Sequence, residues 1–239
     1  MIRVAIVGCG KVAEQHASQI RRIRSATLVG VCDREGLMAT QMQERFGVDL
    51  ATQNIQELLE RARPTVVHIT TPPQSHFELA KACLEAGCHV YVEKPFTVHA
   101  GEAEALLALA SARDRKVTVG HNAQFTLAAL RMRRLVASGF LGGPPVHMES
   151  YYCYDLGDPS YARALLGDRN HWVRGLPGGL IQNVISHGVA KIAEFLDGED
   201  AEVMAMGFCS PLLRDINETR IVDELRAIIR DERGVTAYL

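Results

Sequence analysis

One segment constrains this chain more than any other: Gly8-Cys9-Gly10-Lys11-Val12-Ala13, directly behind the apolar run Ile2–Val7. A short run of this kind reads as a strand buried on both faces. The segment after it fits G-x-G-x-x-[GA], and residues 11–23 then carry a helical pattern. Strand, glycine turn and helix in that order form the fingerprint of a dinucleotide-binding βαβ unit. Gly8 permits the tight turn, Gly10 lets backbone approach a pyrophosphate, and Ala13 keeps helix and strand close. Backbone around Cys9, Lys11 and Val12, together with the helix dipole, favours an anion. A tight turn that binds nothing is the competing reading, and the surrounding pattern argues against it.

Asp33 ends the second strand, residues 28–32. A carboxylate there accepts hydrogen bonds from adenosine ribose hydroxyls and repels a 2′-phosphate, which selects NAD over NADP. Arg34 beside it complicates the choice, since a guanidinium pairs well with such a phosphate. The plain alternative is a turn aspartate capping the next helix.

Helical and strand-like segments alternate up to about Gly120. Helices are predicted over 35–46, 55–61, 75–86 and 100–113, with strands at 65–70, His89–Val92 and Val117–Val119. Short connections between them predict right-handed βαβ units and a parallel sheet with helices on both faces. The pattern then changes. A helix over 123–137 leads into a strand at 146–154, a loop rich in glycine and proline that includes Pro159, and a helix over 181–196 closed by Gly198. Strands at 202–209, 220–230 and 235–239 follow without crossover helices, which predicts a mainly antiparallel sheet. The expected fold class is α/β: a Rossmann doubly wound parallel sheet over residues 1–120, followed by an α+β domain with a mainly antiparallel sheet over residues 121–239.

Lysine and arginine number 26 against 28 acidic residues, a net charge of -2. That balance gives no electrostatic reason to expect nucleic acid or an anionic membrane as partner. Arg131, Arg133 and Arg134 read as a solvated helix face. The start of the chain lacks secretory-signal features, and no apolar run is long enough to span a bilayer. Six scattered cysteines without a C-x-x-C suggest neither disulfides nor a zinc site. These features together point to a reducing cytoplasm, and no metal is expected.

Four further motifs follow in order. Thr70-Thr71-Pro72-Pro73-Gln74-Ser75-His76 resembles the T-P-P-x-x-H segment of the Gfo/Idh/MocA oxidoreductase family. Glu93-Lys94-Pro95 is similar to that family's E-K-P signature. Val119-Gly120-His121-Asn122-Ala123-Gln124-Phe125 resembles its G-H-N-x-R-F stretch, with Gln124 where arginine is usual. Gly178-Gly179 with Asn183 and His187 resembles its G-G…D-x-x-x-H helix. The resemblance covers essentially the whole chain. It implies an NAD(P)-dependent enzyme that moves a hydride between the nicotinamide and a carbon of a sugar, sugar nucleotide or cyclitol. It further implies that Thr70, Thr71, Pro72 and His76 line the cofactor site, with Glu93 and Lys94 at the nicotinamide ribose. Asn122, Asn183 and His187 fall to the substrate.

Elementary chemistry agrees with these roles. Oxidising an alcohol removes a hydride and a proton, so an acceptor must face the nicotinamide. Lys94 lies at the carboxyl end of a parallel strand, where doubly wound sheets place their ligands. A neighbouring positive nicotinamide disfavours its ammonium. Pro95 admits a cis peptide that fixes the lysine's direction. Asn183 and His187, at i and i+4, project from one helix face, and His187 is the second catalytic candidate. Asn183 cannot accept a proton as the usual aspartate does, but it can bind a hydroxyl. Some sugar-nucleotide members resemble this chain in having asparagine there. His171, Trp172 and Arg174 fit either a loop that binds a ring or phosphate or a packed loop; Trp172 is kept as a substrate candidate. Tyr151, Tyr152 and Tyr154 belong to the predicted sheet, and His68 and His89 read as satisfied core histidines.

Two rivals remain: NAD-assisted glycoside cleavage through transient oxidation, and a non-catalytic dinucleotide-binding remnant. The family's members are longer than these 239 residues, so a shortened substrate domain is expected. Its last strand, 235–239, should then present a free edge and an open sheet that a second subunit covers, giving a homo-oligomer.

Overall fold

The computed structural model describes residues 1–156, 167–197, 200–211 and 221–239. Pro159, the expected helix stop at Gly198 and the first residue of the 220–230 strand lie outside the described residues. The chain divides into two compact units, Met1–Gly120 and His121–Leu239.

The first unit runs β1 (Ile2–Val7), α1 (Lys11–Ile20), β2 (Ala26–Cys32), α2 (Gly36–Phe46), β3 (Ala51–Thr52), α3 (Ile55–Ala62), β4 (Val66–Ile69), α4 (His76–Glu85), β5 (His89–Val92), α5 (Ala100–Ala112) and β6 (Val117–Val119). All six strands are parallel in the order β3-β2-β1-β4-β5-β6. The order reverses between β1 and β4, and ligands of such sheets bind in the crevice at that switch point. Strand alternation divides the core in two. Ala5, Val7, Val67, Ile69, Val90 and Val92 face the layer that holds Leu58, Leu84 and Leu106. Val4, Ile6 and Val31 face Ala13, Ala17 and Ile20 of α1 and Met42 of α2. Each fully buried leucine or isoleucine contributes roughly 1.5–3 kcal/mol. Gly30 allows α3 to pack closely, since a Cβ there would lie 2.7 Å from Leu58.

Local chemistry fixes the helix ends. The Asn54 side chain accepts from the backbone of Gln56 at 2.8 Å and caps α3, while Gly47, at φ 62°, closes α2. The short strand β3 carries too little pattern to read from sequence.

The second unit comprises α6 (Leu127–Ala137), β7 (His147–Glu149), α7 (Gly179–Ala193), β8 (Glu202–Phe208), β9 (Glu224–Arg230) and β10 (Thr236–Tyr238). Its sheet is mixed, in the order β7-β10-β9-β8, with β10 parallel to β7 and the remaining pairs antiparallel. This corrects the expected free edge: β10 is interior, paired on both sides, and among the described residues the edges are β7 and β8. Ile192 of α7 packs on Ile229 and Ala237. Asp231 organises the β9–β10 turn, its carboxylate accepting from the backbone of Arg233 at 3.0 Å and Val235 at 2.8 Å.

The expected strand over 146–154 ends at Glu149. Ser150 is buried there, and its hydroxyl donates to the carbonyl of Gly188 at 2.9 Å. Tyr151, Tyr152 and Tyr154 therefore lie beyond the strand, with the Tyr152 ring against His187 of α7. Arg133 is likewise no bare solvated residue, because its guanidinium pairs with Glu194 at 2.6 Å. All six cysteines are free. Among the described residues, no helix is long and apolar enough to cross a membrane, and no cluster of histidine, cysteine and acidic groups has metal-binding geometry.

Candidate functional site

Gly8 closes β1 at φ 92°, a conformation that favours glycine. A Cβ there would lie 2.7 Å from the Thr71 methyl and 2.8 Å from the Thr71 backbone nitrogen. The Gly8 amide donates to Cys32 at 2.8 Å, and the Thr70 hydroxyl donates to the Gly8 carbonyl at 2.6 Å. Thr70 thus clamps the glycine turn against the end of β4. Gly10 is extended, and a Cβ on it would meet nothing within 4 Å. No side-chain hydrogen bond caps α1, and the positive end of the helix dipole stands beside the open Gly10 position. That cradle fits a pyrophosphate. Lys11 and Val12 are exposed at its rim.

Cys9 contributes backbone rather than thiol. Its N–H donates to Asp33 at 2.7 Å, while burial, reinforced by the charge of Asp33, pushes the thiol up to about 12. The other Asp33 oxygen accepts from the Glu35 amide at 2.9 Å. Asp33 therefore binds the glycine loop to the end of β2 and also serves the turn that the plain reading assigned it. Each oxygen keeps a second lone pair for a ribose hydroxyl. Arg34 is exposed, with Glu35 at 3.7 Å.

The loop after β4 is braced from behind. His76 is fully buried; its Nε2 lies 2.8 Å from the Thr71 carbonyl and its Nδ1 2.9 Å from that of Pro95. The ring ties the Thr71-Pro72 segment to the segment after Lys94 and presents no face to a ligand. It is support for the site rather than lining. Pro72 is exposed, and Lys94-Pro95 is cis.

Glu93 and Lys94 follow β5. Burial pushes the Lys94 pKa down, against the opposing pull of the Glu93 carboxylate. Burial alone would raise Glu93. A hydrogen bond from His16, the charge of His16 and the Lys94 backbone N–H outweigh it, and Glu93 lies below the usual carboxylate range. Sequence reasoning missed this partner. His16 Nε2 lies 3.0 Å from Glu93 Oε1, and His16 Nδ1 lies 2.8 Å from Nδ1 of His68. The available signal was spacing: His16 shares the inner face of α1 with Ala13, Ala17 and Ile20. His89 is satisfied as expected, accepting from the Lys116 amide at 2.9 Å.

In the second unit Asn183 and His187 are both buried on α7. The His187 ring stacks on Tyr152 at 4.9 Å and 24°, and Lys191 lies over the Tyr152 ring at 5.1 Å. Tyr152, expected in the sheet, is instead the neighbour of His187. A cavity of about 730 Å³ beside α7 is lined by Tyr152, Tyr154, Leu180, Val184 and Leu239. Trp172 packs in a small core with Val173 and Leu180, which favours the packed-loop reading. Asn122 is exposed at the start of a short 3-10 turn, and the Gln124 side chain donates to the carbonyl of Ala190.

Known proteins share these features. Residues 2–121 match the Gfo/Idh/MocA model, described as an oxidoreductase family with an NAD-binding Rossmann fold. D-glucoside 3-dehydrogenase of Escherichia coli is 32% identical over 142 residues, covering 59% of this chain and 40% of that protein. Myo-inositol 2-dehydrogenase of Thermotoga maritima is 26% identical over 238 residues, covering 100% of this chain and 67% of that protein. The matched chain thus spans between 40% and 67% of the length of these two relatives. Among solved structures, scyllo-inositol dehydrogenase of Lactobacillus casei, with bound NAD(H) and scyllo-inositol, has a TM-score of 0.84 at 22% identity. It covers 100% of this chain and 68% of that one, a likeness of fold. With the family model covering half the chain, and the cradle, switch point and strand-end lysine all present, the chain belongs to the Gfo/Idh/MocA oxidoreductase family, and its first unit is that family's NAD-binding Rossmann fold.

Proposed function

We propose that this protein is an NAD-dependent dehydrogenase acting on a hydroxyl-bearing carbon of a sugar, sugar nucleotide or cyclitol. The observation that carries the reading is Lys94: an amine held half-buried at a strand end of the dinucleotide-binding sheet, its ammonium disfavoured by burial. When bound, the nicotinamide supplies the hydride acceptor at C4. The chain's part is to hold the dinucleotide and to manage the proton. Gly8, Gly10 and the first turn of α1 seat the pyrophosphate, and Asp33 receives the ribose hydroxyls and disfavours a 2′-phosphate. Lys94 Nζ, as the free base, takes the hydroxyl proton as the carbon loses its hydride. Asn183 and His187 serve the substrate, Asn183 through hydrogen bonds and His187 as a donor whose ring Tyr152 orients.

Relatives named for a glucoside and for myo-inositol support a polyhydroxylated substrate, and Asn183 in place of aspartate supports a sugar nucleotide within that class. Six free thiols suit a reducing cytoplasm, and the second unit is the substrate-binding and subunit-pairing half of a homo-oligomer.

The test is Lys94→Met. NADH affinity, read by nicotinamide fluorescence, should stay within a few-fold, while turnover on the best polyol should fall by roughly 10²–10⁴. Unchanged turnover would transfer the proton to His187. Release of a leaving group without net NADH would favour glycoside cleavage instead. Cofactor binding with no turnover by the wild type on any of these substrates would leave a binding remnant.

A further inference from the structure

None of the steps assigned above uses His16 or His68, yet both lie within the first unit against Glu93. His16 sits on the inner face of α1, and its side chain is 12% exposed against 18% for Glu93. Both its ring nitrogens are engaged, Nε2 with Glu93 Oε1 at 3.0 Å and Nδ1 with His68 Nδ1 at 2.8 Å. An ionised carboxylate only accepts, so Nε2 carries the hydrogen. A neutral His16 then accepts from the Nδ1–H of His68, whereas a protonated His16 donates in both directions. The Nε2–H···Oε1 bond survives either way.

The surroundings leave this arrangement little freedom. His68 stacks on Tyr91 with ring centroids 4.8 Å apart and 16° between planes. His16 meets both rings edge-on at 5.1 Å. Burial, reinforced by His16, pushes His68 down to about 4, so it is neutral at physiological pH. Gly120 closes the far side: a Cβ there would lie 2.6 Å from Glu93 Oε1 and 3.1 Å from the Tyr91 hydroxyl. Glycine at 120 is what gives the carboxylate room in this one place.

We propose that His16 is a positioning residue that fixes the Glu93 carboxylate beside Lys94 through its Nε2–H, with His68 and Tyr91 fixing the ring of His16. The helix that opens at the dinucleotide loop is thereby tied to the strand end that carries the lysine. Its effect on turnover rests on the reading of Lys94 as proton acceptor; its effect on the proton of Lys94 does not. The groups facing Glu93 are His16 from α1, His68 from β4, Tyr91 on its own strand, His76 from α4 and Lys94 itself. Among them His16 provides the side-chain hydrogen bond that opposes desolvation of the carboxylate. Without that donor the carboxylate, which is ionised throughout the range in which a lysine titrates, is no longer fixed in its place next to Lys94, and the ammonium loses part of its support. The lysine then gives up its proton at lower pH.

The experiment measures the pH at which Lys94 is half-labelled by acetic anhydride, read by peptide mass spectrometry on the folded, cofactor-free chain. In His16→Leu that midpoint should fall by about 0.5–1 pH unit. In His16→Gln, which keeps an N–H donor, it should stay near the wild-type value. NADH affinity should stay within about three-fold in both, because His16 makes no part of the cradle. Should the leucine variant not fold, His16→Asn, whose amide is too short to keep the contact, takes its place. Equal midpoints in wild type and the donor-less variant overturn the proposal. A glutamine midpoint displaced as far as the leucine one also overturns it, since the ring's shape rather than its donor would then be what matters. Wild-type turnover on sugars and cyclitols is a separate measurement, so the proposed function can fail while this result stands, and the reverse.

Discussion

Asp33 has two duties that one substitution can separate. It repels a 2′-phosphate by charge, and it holds the glycine loop through the Cys9 amide at 2.7 Å. Wild type should therefore bind NAD(H) more tightly than NADP(H) in a fluorescence titration. Asp33→Asn keeps an acceptor for the loop but loses the charge, so it should narrow the gap mainly by improving NADP(H). Asp33→Ala should narrow the gap while weakening both cofactors. Tighter NADP(H) binding by the wild type would hand the position to Arg34. Lys94 sets a second expectation, for pH. A base whose pKa is pushed down by burial is already free below the ordinary lysine range, so the oxidation rate should rise with pH and level off below 10.5. Because Glu93 pulls in the opposite direction, Glu93→Gln should move this limb to lower pH. Movement to higher pH would show that Glu93 does not support the ammonium.

At the scale of elements, the two glycines of the fingerprint should fail in different ways. Gly8→Ala forces φ 92° on a residue with a Cβ and drives that atom into Thr71 backbone. The loss in stability should be about 2–4 kcal/mol, visible in urea melts of the folded chain. Gly10→Ala adopts an ordinary backbone and its Cβ meets no protein atom. Stability should hold within about 1 kcal/mol, but NADH affinity should drop at least ten-fold if that space belongs to the pyrophosphate. Undiminished NADH affinity in Gly10→Ala would place the phosphates elsewhere. The difference also explains what sequence could reveal. The βαβ alternation was legible because strands buried on both faces must be apolar runs, and the Gly8–Ala13 turn because backbone demands small residues there. The second unit was less so. Its strands were found, but β10 was expected at an edge and lies in the middle, since pairing between distant strands leaves no local pattern. The strand at 146–154 was overextended because alternation continued past Glu149, while Ser150 turns inward to Gly188. The Glu93–His16–His68 line was invisible for the same reason: three residues from three elements meet only when the sheet forms.

At the scale of the whole molecule, the sheet of the second unit carries an apolar band that its described helices leave exposed. The register places Met204 opposite Ile228, and Ile228 opposite Tyr238, so these three share one face of β8, β9 and β10. Met204 is 74% exposed, Ile228 44% and Tyr238 46%, and Met206 and Phe208 continue the face along β8. The opposite face of β9 and β10 carries Ala227, Ile229 and Ala237, all buried, so these two strands have a filled side and an open one. β8 is also an edge strand, exposed along its full length, with one row of backbone groups available for pairing. An apolar band next to an open edge is the signature of a surface that seeks a partner. A second copy is the partner always present at matched concentration, and a two-fold axis would set the band against itself. Light scattering across the micromolar range should therefore report particles heavier than the 26.3 kDa chain. Met204→Glu combined with Ile228→Glu puts like charges into the middle of the band, and should return the mass to that of one chain without lowering NADH affinity, because the cradle lies in the other unit. A wild type that scatters as a single chain at all these concentrations would remove the sheet as a subunit interface.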